Sequence, residues 1–87
     1  MKALNVVHIE WLDSGIYAEW TDVSDLDQTL GVTHSVGILV EEHDSFITLV
    51  LSFDPESESV NNLMYVPKCA IIRRETLCLI PLIQTKS

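Results

Sequence analysis

Apolar and polar positions alternate along most of this chain, and a period of two is the signature of a half-buried β-strand. In residues 4–13, Val7, Ile9 and Trp11 alternate with His8, Glu10 and Leu12, so the first set is expected to face a core. Ser14 and Gly15 then turn the chain, and 14–20 reads as a turn followed by a short irregular or extended piece. Over 21–31 the period changes. Leu26 and Leu30 stand four apart, acidic residues gather near the front, and Gly31 closes the segment. That pattern predicts one short helix with Thr21 or Ser24 as its N-cap. Its acidic residues suit the positive end of the helix dipole.

Residues 32–54 carry the clearest signal. Two β-branched runs flank the polar tip 41–45, which predicts a long hairpin. In its second arm Ile47, Leu49, Leu51 and Phe53 are expected on one face, with Thr48 and Ser52 opposite. Residues 55–62 read as a polar loop and 63–66 as a short strand. Pro67 ends that strand, because proline has no N–H for the ladder. Residues 68–70 form a tight turn and 71–80 a last strand. Five short, strongly bent strands with one short helix predict a mainly β fold, a small SH3- or Sm-like barrel, as a single domain over 1–87. The unbroken apolar run 77–83 is too long for a half-buried final strand. Its far end is expected to pack against another element or, preferably, a second subunit.

Composition sharpens this picture. Hydrophobic residues make up 47% of the 87 positions, enough for one small core of a few kcal/mol net stability. Met1-Lys2 leads into a strand-like run rather than a long apolar segment, and no stretch reaches a membrane span, so a cytoplasmic protein is expected. Cys69 and Cys78 are then expected to be reduced and buried as small hydrophobes. His8, His34 and His43 show no CxxC or HxxxH spacing that would join them with cysteine in a zinc site, so no metal or other cofactor is expected. Oligomerisation remains as the extra source of stability.

Charge distribution says more than the net value of −8. Of the thirteen acidic residues, all but Glu75 lie between Lys2 and Lys68, an interval with no lysine or arginine. A broad acidic surface repels a phosphate backbone, which argues against DNA or RNA as partner. Lys68, Arg73, Arg74 and Lys86 crowd the C-terminal end, where a local basic patch could hold one small anion.

Several residues stand out as candidates for binding. Trp20 follows a turn in a polar setting, and either plugs the barrel mouth or offers a stacking plate for a base or a partner. Asp13 ends the first strand and is suited to bond nearby backbone N–H groups in the turn. Ser35-Val36-Gly37 places a glycine inside a strand, which marks either barrel curvature or close approach by a ligand or neighbouring chain. His34 shares parity with Val36 and Ile38 and is expected to be a hydrogen-bonded inner residue. Arg73 and Arg74 point to opposite faces, so one can pair with surface carboxylates while the other clamps a phosphate, with Lys68 at the preceding turn. Catalysis is not expected. The chain has no Gly-rich phosphate loop, no nucleophile elbow and no metal spacing, and Glu41-Glu42 sit at a wet hairpin tip.

Two resemblances add to this. The stretch 65–72, Tyr-Val-Pro-Lys-Cys-Ala-Ile-Ile, resembles the closing segment of Sm-like proteins, where a Tyr-Lys-His-Ala-Ile stretch occupies the same place. Tyr65, Lys68, Ala70 and Ile71 match in kind, while Pro67 is extra and Cys69 replaces the histidine. This resemblance implies ring-forming barrel architecture rather than RNA binding, which the charge opposes. More broadly, Trp-x-Asp-Ser at 11–14, Ser-Val-Gly at 35–37, an acidic hairpin tip and Pro-Lys-x-Ala-Ile at 67–71 resemble a set of small proteins of tailed bacteriophages. Small phage proteins of this size include ones that counter bacterial defences by sequestering cyclic or ADP-ribose-type nucleotide signals in oligomer pockets.

The leading expectation is therefore a non-enzymatic, homo-oligomeric phage anti-defence protein that captures a small nucleotide signal. Trp20 would stack, Lys68 with Arg73 or Arg74 would neutralise phosphate, and Asp13 or Ser35 would read polar edges. The alternative is an acidic inhibitor or nucleic-acid mimic that occupies a basic surface of a host defence protein. A structural virion or assembly factor is a third reading.

Overall fold

The computed structural model describes residues 3–13, 20, 22–25 and 31–82. Five antiparallel strands make one sheet: β1 (Ala3–Leu12), β2 (Val32–Glu42), β3 (Phe46–Asp54), β4 (Ser59–Pro67) and β5 (Ile71–Pro81), in the order β4-β3-β2-β1-β5. The alternation of β1 is realised as expected: Val7 and Ile9 are buried, while His8 and Glu10 lie on the opposite, half-exposed face. The short helix expected over 21–31 lies largely outside the described residues. Val23–Asp25 form a single 3-10 turn, and the described residues contain no α-helix. Residues 21 and 26–30, which include the N-cap candidate Thr21 and both expected helical leucines, Leu26 and Leu30, are outside the described set.

The hairpin closes as expected, with the tip at His43–Ser45. His43 N–H donates to the Phe46 carbonyl at 2.8 Å across it. The polar loop of 55–62 is shorter than its composition suggests. Ser59, Val60 and Asn61 already pair with Asp54, Phe53 and Ser52, so β4 begins at Ser59. Only residues 55–58 turn. Asp54 organises that turn, accepting from the Glu56 N–H at 3.0 Å and the Ser57 hydroxyl at 2.9 Å. Asn62 (φ 52°) and Glu58 (φ 53°) occupy the left-handed region. Asparagine tolerates that conformation; glutamate does so less readily. Pro67 ends β4 as expected, and Lys68–Ala70 make one 3-10 turn into β5.

β2 is divided between two neighbours. Val32–Leu39 pair with β1, whereas Ile38, Leu39, Glu41 and Glu42 pair with β3. The change of partner bends the sheet sharply. Gly37 stands at the bend, where an added Cβ would lie 3.1 Å from the Leu49 Cβ and 3.3 Å from the Val50 carbonyl oxygen. The strand that comes close to this glycine is the protein's own β3, rather than the ligand or neighbouring chain expected as the alternative to barrel curvature. Bulges in β5, between the partners of Val6/Val7 and of Glu10/Trp11, add further twist.

The bend builds the core. Val7 and Ile9 of β1 pack with Ile47 and Leu49 of β3 and Val66 of β4, and Trp11, Leu39, Met64 and Ile71 cover them. In a flat sheet β1 and β4 would be about 14 Å apart, three strand spacings. Their contact through one cluster means the sheet curls onto itself. Each of these buried aliphatic side chains contributes about 1.5–3 kcal/mol. Among the described residues β4 and β5 nevertheless remain unpaired outer strands, so the sheet is open rather than closed by hydrogen bonds.

Burial corrects three expectations. Thr48, expected on the face opposite Ile47 and Leu49, is as buried as they are, as is Val50, whereas Leu51, expected on their face, is exposed. The reason is that β3 is flanked by β2 only up to Val50; beyond it β3 pairs with β4 alone. Cys69 and Cys78 are free but exposed, not buried, because one sits on the 3-10 turn and the other on the outer strand β5. His34 is hydrogen-bonded but exposed, since Ser35 and Gly37 take the inward positions beside it.

Candidate functional site

Two of the expected cations meet. Lys68 follows β4 and Arg74 lies on β5, yet both reach Glu42 at the end of β2. Arg74 donates from Nη1 to Oε1 at 3.1 Å and from Nη2 to Oε2 at 3.2 Å, a two-pronged fork on the carboxylate. Lys68 Nζ adds a contact to Oε2 at 3.0 Å. Hydrogen bonds from Arg74, and then Lys68, hold the Glu42 pKa below its ordinary 4.5. The fold positions this cluster through the hairpin tip, because the Lys68 backbone N–H donates to the Ser45 carbonyl at 2.8 Å. The arrangement is a lysine and an arginine converging on one anion, which here is the protein's own carboxylate.

Arg73 is on the opposite face, as its neighbour position requires. Its guanidinium lies 3.9 Å from Glu10 and 3.5 Å from Glu75. It is more exposed than Arg74 and its contacts are longer, so these pairs contribute little. Arg73 and Arg74 therefore serve different surfaces. All three described lysine and arginine side chains have a carboxylate partner.

Glu41, the neighbour of Glu42, opens onto a cavity of about 510 Å³ on the face of β3 opposite the core. Thr48 forms part of its lining, with Leu63 and Tyr65 from β4, Phe53 from β3 and Leu82 after β5. The Thr48 hydroxyl is buried and has no hydrogen-bond partner among the described residues. Such a group costs about 1–3 kcal/mol until something bonds it. Tyr65 meets Phe46 edge-on at 5.9 Å between ring centres, and Phe46 stacks on His43 at 4.5 Å. Neither Thr48 nor Tyr65 was singled out from sequence, since a threonine and a tyrosine in strand patterns read as ordinary β residues. Only the three-dimensional position of Thr48 reveals its missing partner.

The remaining expected residues are scattered. Trp20 is fully exposed at 104%, and its chain neighbours 14–19 and 21 lie outside the described residues. Among the described residues no hydrogen bond, ion pair or ring contact joins it to Lys68, Arg73 or Arg74. Asp13 is exposed at the end of β1, and its expected partners in 14–19 lie outside the described residues. Ser35 accepts a hydrogen bond from the Trp11 indole N–H at 3.0 Å, so its hydroxyl is engaged in packing Trp11. Trp11 itself packs on the core, as expected.

One grouping had no counterpart in the sequence reading. His8, Glu10 and His34 stand together on the outward face of β1 and β2. A cysteine–histidine spacing search misses them because the ligands come from two strands. The available signal was His-x-Glu within one strand, at the period that puts both side chains on one face.

No helix among the described residues is long and apolar enough to cross a membrane. No protein-family model, curated protein or solved structure matches this chain.

Proposed function

We propose that the chain is a non-enzymatic, cytoplasmic binding protein that acts as a homo-oligomer and sequesters a small phosphorylated nucleotide signal, in the manner of a phage anti-defence protein. The observation that carries this reading is the convergence of Lys68 and Arg74 on a single carboxylate, in a fork geometry that a phosphate also fits. Glu42 holds the place of the phosphate. A nucleotide would displace it, and the nucleoside end would reach round the end of β2 to the cavity on the other face, which the next residue, Glu41, lines. There the Thr48 hydroxyl supplies an unused hydrogen bond and Tyr65 an aromatic surface. The acidic lining residues Glu41 and Glu58 suit the donor groups of a base or sugar and repel phosphate, which orients the ligand.

Assembly belongs to the same reading. β4 and β5 are the two outer strands of the sheet among the described residues. Leu63 and Tyr65 on one, and Ile72, Leu77 and Leu79 on the other, are exposed. Pairing β4 of one copy with β5 of the next removes both edges and extends the SH3- or Sm-like barrel into a ring. It also brings a neighbour beside the cavity, where Leu63 and Tyr65 of β4 lie.

The test is native mass spectrometry of the protein from cells with active nucleotide-signalling defences, followed by calorimetry with the nucleotide found. Arg74→Ala should abolish binding, and Glu42→Gln, which vacates the clamp, should tighten it. A bound nucleotide that is indifferent to both variants would overturn the clamp.

A second reading rests on a different observation. The three described cations are already matched by carboxylates, whereas the β2–β3 and β3–β4 turns expose Asp44, Asp54, Glu56 and Glu58 without a lysine or arginine within 4.0 Å among the described residues. That surface suits an acidic inhibitor of a basic host protein. Neutralising Glu56 and Glu58 would then abolish function, and capture of the partner would fall with salt.

A further inference from the structure

The outward face of β1 and β2 carries a cluster unrelated to the clamp and the cavity. In the antiparallel register Glu10 of β1 lies directly opposite His34 of β2, and His8 stands two residues before Glu10 on the same face. His8 Nε2 and His34 Nδ1 are 2.9 Å apart, one donating to the other according to tautomer. Their rings are near parallel, with centres 5.1 Å apart. One ligand atom from each of His8, Glu10 and His34 lies within 4.8 Å of the others.

We infer that His8, Glu10 and His34 form a divalent transition-metal site, with zinc as the best-fitting ion. Two imidazoles and one carboxylate are the donor set of open zinc sites, which hold the ion with three protein ligands and leave a fourth position for water or a small anion. Tetrahedral bonds of about 2.0–2.1 Å put neighbouring ligand atoms roughly 3.3 Å apart. The two histidine nitrogens need to separate by only a few tenths of an ångström to admit the ion. Side-chain rotation is enough, because His34 is exposed and Glu10 is held by Arg73 only at 3.9 Å. The rigid part is already in place: cross-strand register fixes three side chains on one face, without any loop to order. Imidazole donors select zinc, copper or nickel over magnesium and calcium, which prefer all-oxygen sites.

A hydrogen-bonded histidine pair is the competing explanation, and metal uptake separates the two. Untagged protein is stripped with chelator, dialysed against low-micromolar zinc and measured by elemental mass spectrometry, with the visible spectrum of the cobalt(II) form as a report of coordination. One metal ion per chain is expected. His34→Ala and Glu10→Gln should each weaken uptake by at least about tenfold, since loss of groups that merely support a ligand already costs that much. Both sites are on the exposed or half-exposed face, and thermal melts of the variants confirm that they fold. His43→Ala, which removes the histidine bonded to Glu41 at 2.8 Å, should leave uptake unchanged. No zinc on the wild-type protein, or uptake unaffected by His34→Ala and Glu10→Gln, would overturn the site.

Discussion

At the scale of single residues, Gly37 and Thr48 show how position overrides residue type. Gly37 has no unusual φ; its lack of a side chain is used to let β3 pass. An alanine there meets the Leu49 Cβ and a backbone oxygen, neither of which can move without moving β3. The entropic benefit of replacing glycine, about 0.4–1 kcal/mol, is smaller than the overpacking cost of about 1–3 kcal/mol. Gly37→Ala should therefore lower stability by about 1–2 kcal/mol in urea unfolding. An unchanged or raised midpoint would mean that the bend relaxes. Thr48 is the converse case: an ordinary strand residue whose hydroxyl is stranded by the way β2 and β4 flank it.

At the scale of elements, the Glu42 cluster ties β5 and the turn after β4 to the end of β2, across the curl of the sheet. Its pKa is lowered on folding, so its contribution is full above the unfolded value of 4.5 and drains away as pH falls through the lower folded value. The side chain is 40% exposed, which limits the stabilisation to below about 1 kcal/mol. Glu42→Gln should accordingly be less stable than wild type at pH 7, with the gap closing as the pH drops below 4.5. A gap that persists undiminished into acid would show that packing, not charge, holds this corner. β5 is otherwise weakly anchored. Apart from Ile71 and Ile80 at its two ends, its residues are exposed, and its contacts to the rest of the chain run mainly through β1.

At the scale of the whole molecule, the outer strands carry uncovered apolar surface: Leu63 and Tyr65 on β4 and Ile72, Leu77 and Leu79 on β5 are exposed. The edge-to-edge assembly proposed above would cover it. Sedimentation should show a defined oligomer, and Leu79→Glu should convert it to monomer without unfolding, since Leu79 is 62% exposed in the single chain. A wild-type monomer would remove the assembly from the proposal.

The sequence by itself determined the strands. Val7, Ile9 and Trp11 on one face of β1, the hairpin around 41–45, and the stop at Pro67 follow from local alternation and turn chemistry, which act over a few residues. It also separated Arg73 from Arg74, because neighbours in a strand face opposite ways. What it left open depends on contacts distant in the chain. The change of partner within β2 decided that Thr48 is buried and Leu51 is not. The curl decided that Lys68 and Arg74 converge on Glu42, 26 and 32 positions away in the chain. Register between β1 and β2 decided that His34 faces Glu10 and His8. A period of two states which face a side chain takes. Only the pairing of strands states what it meets there.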